Sequence, residues 1–572
     1  MGAFVFSNSK IEEKSVERVT NVLETRGHEN IKCEKVGGGI FLIHAEKILA
    51  PTPNFIKGKD LNGDSADFII GVGAFFYDGA TGVEALKKVY ENLDEVLNDN
   101  PIYGHWAICV KKGDTVYVMN DMSGMMRLYY YQDGSSITIS TSMLAVVASL
   151  PNPKFDKTRL AGFFAAKYAN FIPFVEGVEL LSPNKYLLIR KGSAPEWHER
   201  KDSEYKSIDT TEEAVESVRN LFQNQVQALE SIGKEQVGVE LSAGLDSRLI
   251  ASVIKSAGFN YNFVHYPLYG PDKEIAYQVA NGIGKEIYLQ EDAAKLESED
   301  FEKNYGEFDF CFNFFNHHAS KRQMIKNSIQ FTGGFGEVID LPEFYSDEDE
   351  SMRNHPEASF LLKELTIQPM RKILRKGMGE KWMNYIVDYF KCSGVPIGNN
   401  MSETEQMAFY HILVPRLILS NTISAYNACT RRYGMFEEYH FTRQVDGISF
   451  KAKEGRKLTL ALIKGIDPEL ASYPFISRMV TRRDSVTGTT ELPTQYKHWG
   501  NLKKKLPDWF IDLYYRRKGH CFNTTLLSGI DFSIYDDIIN TKKVMSRPGL
   551  YKGVLERLYS LEVIRQKMNI KM

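Results

Sequence analysis

The densest chemistry in this chain lies in Ser242-Ala-Gly-Leu-Asp-Ser247, which places two hydroxyls, a carboxylate and a glycine within six residues. Val237 to Leu241, just before it, is short, β-branched and apolar, the pattern of a buried parallel strand. Arg248 to Ala257, just after it, has helical periodicity, with Gly258 as its stop. A helix opening at such a turn presents unpaired N–H groups and the positive end of its dipole. An anion is the natural occupant, phosphate foremost. The alternative is an ordinary strand–turn–helix with a capping serine; four fixed positions arise by chance in a chain this long on the order of once in a hundred.

Such a turn works only at the end of a strand held in a sheet, and the neighbouring sequence supplies one. Tyr261 to Tyr266 reads as the next parallel strand, Asp272 to Gly282 as a capped amphipathic helix, and Lys285 to Leu289 as a further strand. Ser328-Ile-Gln-Phe-Thr-Gly-Gly-Phe-Gly-Glu337 gives another strand ending in a glycine-rich turn. Ligands of open α/β sheets sit at these carboxyl ends, so the two turns would face one molecule. The first 200 residues differ. They are rich in short strands (Phe68 to Val72, His105 to Val110, Thr115 to Met119, Ser136 to Ser140) around one helix, about Val83 to Leu97. Glu196 to Thr211, polar and charged, reads as the linker between the two parts.

Composition bounds the reading. At 572 residues the chain accommodates two or three domains. With 43% hydrophobic and 25% charged residues and a net charge of −3, it offers no electrostatic reason to expect nucleic acid or an anionic membrane as partner. No apolar run approaches membrane-spanning length. The six cysteines are scattered without a C-x-x-C pair, which fits reduced thiols in the cytoplasm better than disulfides or zinc.

Ser242 to Ser247 match the Ser-x-Gly-x-Asp-Ser pyrophosphate loop of ATP pyrophosphatases, which split ATP into AMP and pyrophosphate. The order of the pieces resembles the asparagine synthetase family, with β-lactam synthetases and lasso-peptide cyclases among its relatives. That resemblance implies an α/β protein: an Ntn-hydrolase-like αββα sandwich, glutaminase-type, over residues 1–200, and a parallel-sheet ATP pyrophosphatase (PP-loop) domain over 201–572. It implies ATP on Leu241, Ser242, Ala243, Gly244, Leu245, Asp246 and Ser247, with Ala243 where glycine is commoner. Ser242 and Ser247 would donate to phosphate oxygens, Gly244 would let backbone approach, and Asp246 would bind the magnesium. Thr332-Gly-Gly-Phe-Gly-Glu337 resembles a drifted, one-residue-short form of the family's second loop. On that match Thr332 and Gly333 line the nucleotide and Glu337 is the second magnesium carboxylate; a glycine turn followed by a solvated acid is the other reading.

The N-terminal part also resembles the family, in Thr25-Arg-Gly-His-Glu29, Tyr103 to Ile108 and Asn120 to Arg127. A glutaminase of this type needs an N-terminal cysteine, whereas here the chain starts Met1-Gly2-Ala3. Val72-Gly73-Ala74-Phe75 stands where the family grips glutamine with Asn-Gly-Glu. Both departures imply no glutaminase activity. What remains is adenylation of a small-molecule or peptide carboxylate and its capture by an amine or ammonia. The family's late lysine has no counterpart in Ile476 to Ser485; Arg483 is the candidate substitute and Arg482 the alternative, against a plain surface pair. Asn427 to Glu437 resembles the substrate-side helix, with Arg432 and Glu437 as its ionic residues: Glu437 is a catalytic candidate, and a structural salt bridge is the competing role. His317-His318, Phe308 to Phe315 and Lys503 to Lys505 read as non-functional: no third metal ligand, core aromatics and solvated surface. A degenerate scaffold homologue and another adenylating pyrophosphate-loop enzyme stand as alternatives. The sequence names neither substrate and leaves a homo-oligomer open.

Overall fold

The computed structural model describes residues 2–9, 11–36, 39–49, 52–166, 172–202, 204–266, 270–289, 329–339, 372–393, 402–453, 456–476, 506–519 and 522–572. It is a mixed α/β structure with two antiparallel sheets and one parallel sheet. The strands of the N-terminal part are β1 (Ala3–Ser7), β2 (Lys32–Val36), β3 (Ile40–Ala45), β4 (Phe55–Lys57), β5 (Phe68–Tyr77), β6 (Ala80–Thr81) and β7 (Tyr103–Lys112). They continue with β8 (Thr115–Asn120), β9 (Tyr129–Asp133), β10 (Ser136–Ser140), β11 (Val178–Leu180), β12 (Lys185–Arg190) and β13 (Glu196–Glu199). One sheet runs β11-β9-β10-β1-β3-β2, the other β13-β12-β8-β7-β5-β4 with β6 added to β5.

Period-2 side-chain alternation sorts these strands into layers. On β1, Phe4 and Phe6 join Phe68, Ile70 and Val72 of β5 in a core between the two sheets. Ala3 and Val5 point the other way, into a core with the helices α1 (Glu13–Thr25) and α4 (Met143–Ser149). Ile69 and Phe75 pack on α2 (Gly82–Glu91) and α3 (Leu93–Asp99). The result is helix, sheet, sheet, helix. β5 is buried along its whole length because both its faces are covered, which is why its sequence is continuously apolar. The expected single helix from Val83 to Leu97 breaks at Asn92, whose φ and ψ of −105° and 34° are not helical.

The parallel sheet comprises β14 (Val237–Glu240), β15 (Tyr261–His265), β16 (Ile287–Leu289), β17 (Ile329–Thr332) and β18 (Arg431–Gly434). Its order is β16-β15-β14-β17-β18, and every neighbouring pair is parallel. After β14 the chain crosses through α7 (Leu245–Ser256) to β15, then through α8 (Gly270–Gly282) to β16, as parallel pairing requires. The order reverses at β14, whose two neighbours lead away in opposite directions. In open α/β sheets ligands sit at such a reversal, which here falls at the carboxyl ends of β14 and β17.

Three expectations are corrected. Glu196–Glu199 is not linker but strand β13, paired with β12. α7 opens at Leu245, three residues before Arg248. Asn427 to Glu437 is not one helix with a turn: the helix Ser420–Cys429 ends there, and Arg431–Gly434 forms the fifth parallel strand. The two parts also share a core, in which Val19, Phe155 and Phe163 meet Ile386, Tyr535 and Leu558. Among the described residues no helix is long and apolar enough to cross a membrane.

Candidate functional site

The turn after β14 is held by its own polar groups. Ser242 N–H donates to Ser247 Oγ at 3.0 Å, and Gly244 N–H donates to Ser242 Oγ at 3.1 Å. The two hydroxyl oxygens lie 2.9 Å apart, so one donates to the other and a single hydroxyl hydrogen is left over. Gly244 is the N-cap of α7 and has no side chain to occupy the amides that open the helix. Asp246, half-buried, lies in that first turn. Leu241, Ala243 and Leu245 are buried and seat the turn in the core of the parallel sheet.

The second glycine loop lies against this turn. A β-carbon on Gly333 would come within 2.5 Å of Ser247 Cα and 2.6 Å of its nitrogen; one on Gly336 would meet the Asp246 carboxyl carbon at 2.5 Å. Only glycine permits that approach. Thr332, buried, accepts the Gly334 N–H through Oγ1 at 3.0 Å. Glu337 follows Gly336 at the start of a short 3-10 turn, half-buried. Asp246, Ser247, Thr332, Gly333 and Glu337 are therefore brought together from two strand ends.

Glu437 joins them from the end of β18. It is 1% exposed, and its carboxyl fills the space in front of Gly334 and Gly434, where a β-carbon would meet it. Burial above all, then the carboxylates of Glu240 and Glu337, hold its pKa well above the ordinary range against the pull of Arg432. Among the described residues its Oε2 has no hydrogen-bond partner. Arg432 does not pair with it. The Arg432 guanidinium reaches Glu240 at 2.8 Å instead and lies 4.0 Å from the Tyr426 ring centroid. Arg482, Arg483, His317, His318, Phe308 to Phe315 and Lys503 to Lys505 lie outside the described residues. No group of three or more His, Cys, Asp or Glu among the described residues is placed to hold a metal by itself.

Three residues absent from the sequence-based site take part in it. Asp272 Oδ1 accepts the Ala243 N–H at 2.6 Å. His265 Nδ1 lies 2.8 Å from the Leu241 carbonyl. Arg248, fully buried and lowered by burial to about 10, donates to the carbonyls of Tyr473 and Pro474 at 2.7 Å each. Arg248 adjoins the motif and was legible as a buried cation in need of acceptors. Asp272 read only as a helix cap, because its partner lies 29 residues away.

The N-terminal part presents a contrasting edge to the same region. Lys47, 3% exposed, donates to Asn427 O at 2.8 Å and Thr430 O at 2.5 Å; burial, then Arg431, lowers it to about 7. His105 Nε2 lies 3.0 Å from Gly434 N and 3.2 Å from Gly434 O. Val72 to Phe75 is interior strand, with every residue buried.

No family model and no curated protein sequence matches the chain. Among solved structures it is similar to glutamine phosphoribosylpyrophosphate amidotransferase from B. subtilis complexed with ADP and GMP. That likeness has 10% identity and a TM-score of 0.25, covering 50% of this chain and 65% of the other. A structure titled the allosteric regulatory enzyme of purine biosynthesis gives 10% identity and a TM-score of 0.25, covering 58% and 74%. The chain thus spans less than two thirds of the first of these. Overlap this slight carries no argument about fold or activity.

Proposed function

We propose that this protein is an ATP- and magnesium-dependent ligase of the asparagine synthetase type, forming an amide, AMP and pyrophosphate without glutaminase activity. The observation that carries the reading is the meeting of the Ser242–Ser247 turn and the Thr332–Glu337 loop at the point where the parallel strand order reverses. A helix N-terminus capped by glycine alone, a spare hydroxyl and two nearby carboxylates suit a nucleotide's phosphates and their cation. Magnesium is commonly held by one or two carboxylates together with substrate phosphates, and Asp246 and Glu337 on abutting loops fit that donor set.

In this reading a carboxylate oxygen attacks the α-phosphorus of ATP as the bond to pyrophosphate breaks. An amine nitrogen then attacks the acyl carbon, the bond to AMP breaks, and the amine's proton leaves. Glu437, whose carboxyl burial pushes toward the protonated form, is the group we assign to the departing AMP, whose oxygen takes the carboxyl's proton while the amine's proton passes to solvent. Arg483 is assigned to charge stabilisation on the departing groups. Val72 to Phe75, apolar and fully buried, offers no grip for free glutamine.

The test is magnesium-dependent ATP–pyrophosphate exchange across a panel of carboxylates paired with amines, comparing the wild type with Asp246→Ala. Exchange with one carboxylate, lost in the variant, is expected and identifies the substrate class. Failure of the wild type to bind MgATP would overturn the reading.

A further inference from the structure

The amides of Leu241, Ser242, Ala243 and Gly244 are all spent, on different partners. Ser242 and Gly244 spend theirs inside the turn, on Ser247 Oγ and Ser242 Oγ. Leu241 donates to Val264 O at 2.9 Å, within the sheet. Ala243 alone donates to a side chain from another element, Asp272 in the first turn of α8. The same residue is gripped from its other side, where the Ala243 carbonyl accepts Ile476 N–H at 3.0 Å. His265, with no exposed surface, fixes Leu241, two residues earlier: a carbonyl only accepts, so Nδ1 carries the hydrogen given to Leu241 O. Its Nε2 faces Asp272 Oδ2 at 3.9 Å.

A carboxylate 7% exposed beside an expected phosphate site is electrostatically unfavourable for the anion. Its presence calls for a compensating role, and the Ala243 bond supplies one. Resting on the nucleotide reading above, we propose that Asp272 is a positioning residue for ATP. By taking the Ala243 N–H it holds the turn in the shape that presents the start of α7 and one serine hydroxyl to the phosphates. His265 supports the same shape from the Leu241 carbonyl. Neither residue belongs to the Ser242–Ser247 motif.

The experiment is calorimetric titration of the full chain with MgATP for the wild type, Asp272→Ala and Asp272→Asn. Tyr535→Phe is the control, since it removes a buried hydrogen bond to Glu562 in the core shared with the N-terminal part, away from the turn. Asp272→Ala should raise Kd about tenfold, the cost of one charge-assisted hydrogen bond. Asp272→Asn should stay within about threefold, because its amide oxygen can accept the same N–H. Tyr535→Phe should lower Tm without moving Kd. Tighter or unchanged binding by Asp272→Ala would overturn the proposal, leaving only charge repulsion. So would an Asn variant as weak as the Ala variant, which would make the charge itself, as on a cation, the role. Should Asp272→Ala not fold, the Asn arm still decides. A wild type that does not bind MgATP would overturn the nucleotide reading beneath it.

Discussion

The turn at Leu241–Ser247 and the edge around Lys47 both bury polar groups, yet they treat them oppositely. At Lys47 the ammonium is consumed by the fold, held by two backbone carbonyls at the end of the helix Ser420–Cys429. At the turn the internal bonds leave a hydroxyl hydrogen over, and Gly244 places no side chain on the opening of α7. Buried polarity that is fully matched marks structure, because every donor already has its acceptor. Buried polarity with a remainder marks a site. On that criterion Lys47 belongs to a platform, which His105 and Arg127 also join to the C-terminal part, the Arg127 guanidinium reaching Ser420 Oγ at 2.7 Å and Leu417 O at 2.8 Å.

The sharpest way to break this contrast is a pair of single substitutions. In Gly333→Ala the new methyl meets Ser247 backbone, which cannot rotate aside, so the two loops must separate. A displacement on the order of 1 Å at such a site costs about a hundredfold in rate. Lys47→Met, by contrast, removes an ammonium that only the fold uses; it should lower stability and leave the exchange rate within about twofold. Exchange kinetics and urea unfolding on both variants check this. If Lys47→Met slowed exchange as much as Gly333→Ala, the division into platform and site would fail.

Acid should act on the platform next. Burial keeps His28 and His105 neutral, with pKa values of about 3 against 6.5 for the free side chain, and lowers His44 as well. Between pH 3 and 6.5 the unfolded chain therefore binds more protons than the folded one. Stability must rise with pH across that window and fall as pH drops below 6.5. From pH 7.5 to 5.5 the first two histidines together cost about 2–3 kcal/mol. Urea unfolding at the two pH values measures it, and His105→Asn should remove about half. An equal pH dependence in that variant would mean that His105 is not held neutral by its place between β7 and β18.

Much of the parallel sheet was legible because each strand is an apolar run followed by a helix of readable period. Val237 to Leu241 and Tyr261 to Tyr266 became β14 and β15 almost residue for residue. β18 was not legible. Arg431-Arg-Tyr-Gly434 is four residues with two arginines, and it is strand because the edge of β17 pairs with it. The meeting of Gly333 and Gly336 with Ser247 and Asp246 was foreseeable as two turns at neighbouring strand ends. Which glycine touches which residue was not, since that depends on register. Nor does local pattern carry Arg432's choice of Glu240 over Glu437. Glu240 ends β14 and Glu437 lies three residues beyond β18, and only the sheet order places Glu240 across β17 from Arg432.

The smallest effect tests whether Glu437 belongs with the remainder at the site or with the matched polarity of the platform. Its carboxyl is pushed well above the ordinary range by burial, so the folded state keeps a proton that the unfolded chain releases above pH 4.5. The sign is then opposite to that of the histidines: above pH 4.5 the unfolded state binds fewer protons, and Glu437 costs stability as pH rises. Glu437→Gln keeps the shape and removes the titration. At pH 5 it should unfold within about 0.5–1 kcal/mol of the wild type, and toward pH 8 it should match or exceed it. Unfolding curves across that range measure the crossing. A Gln variant that instead lost stability steadily toward pH 8 would mean that Glu437 is ionised and paired in the folded protein. It would then belong to the fold, as Lys47 does, and the acyl step would need another group for its proton.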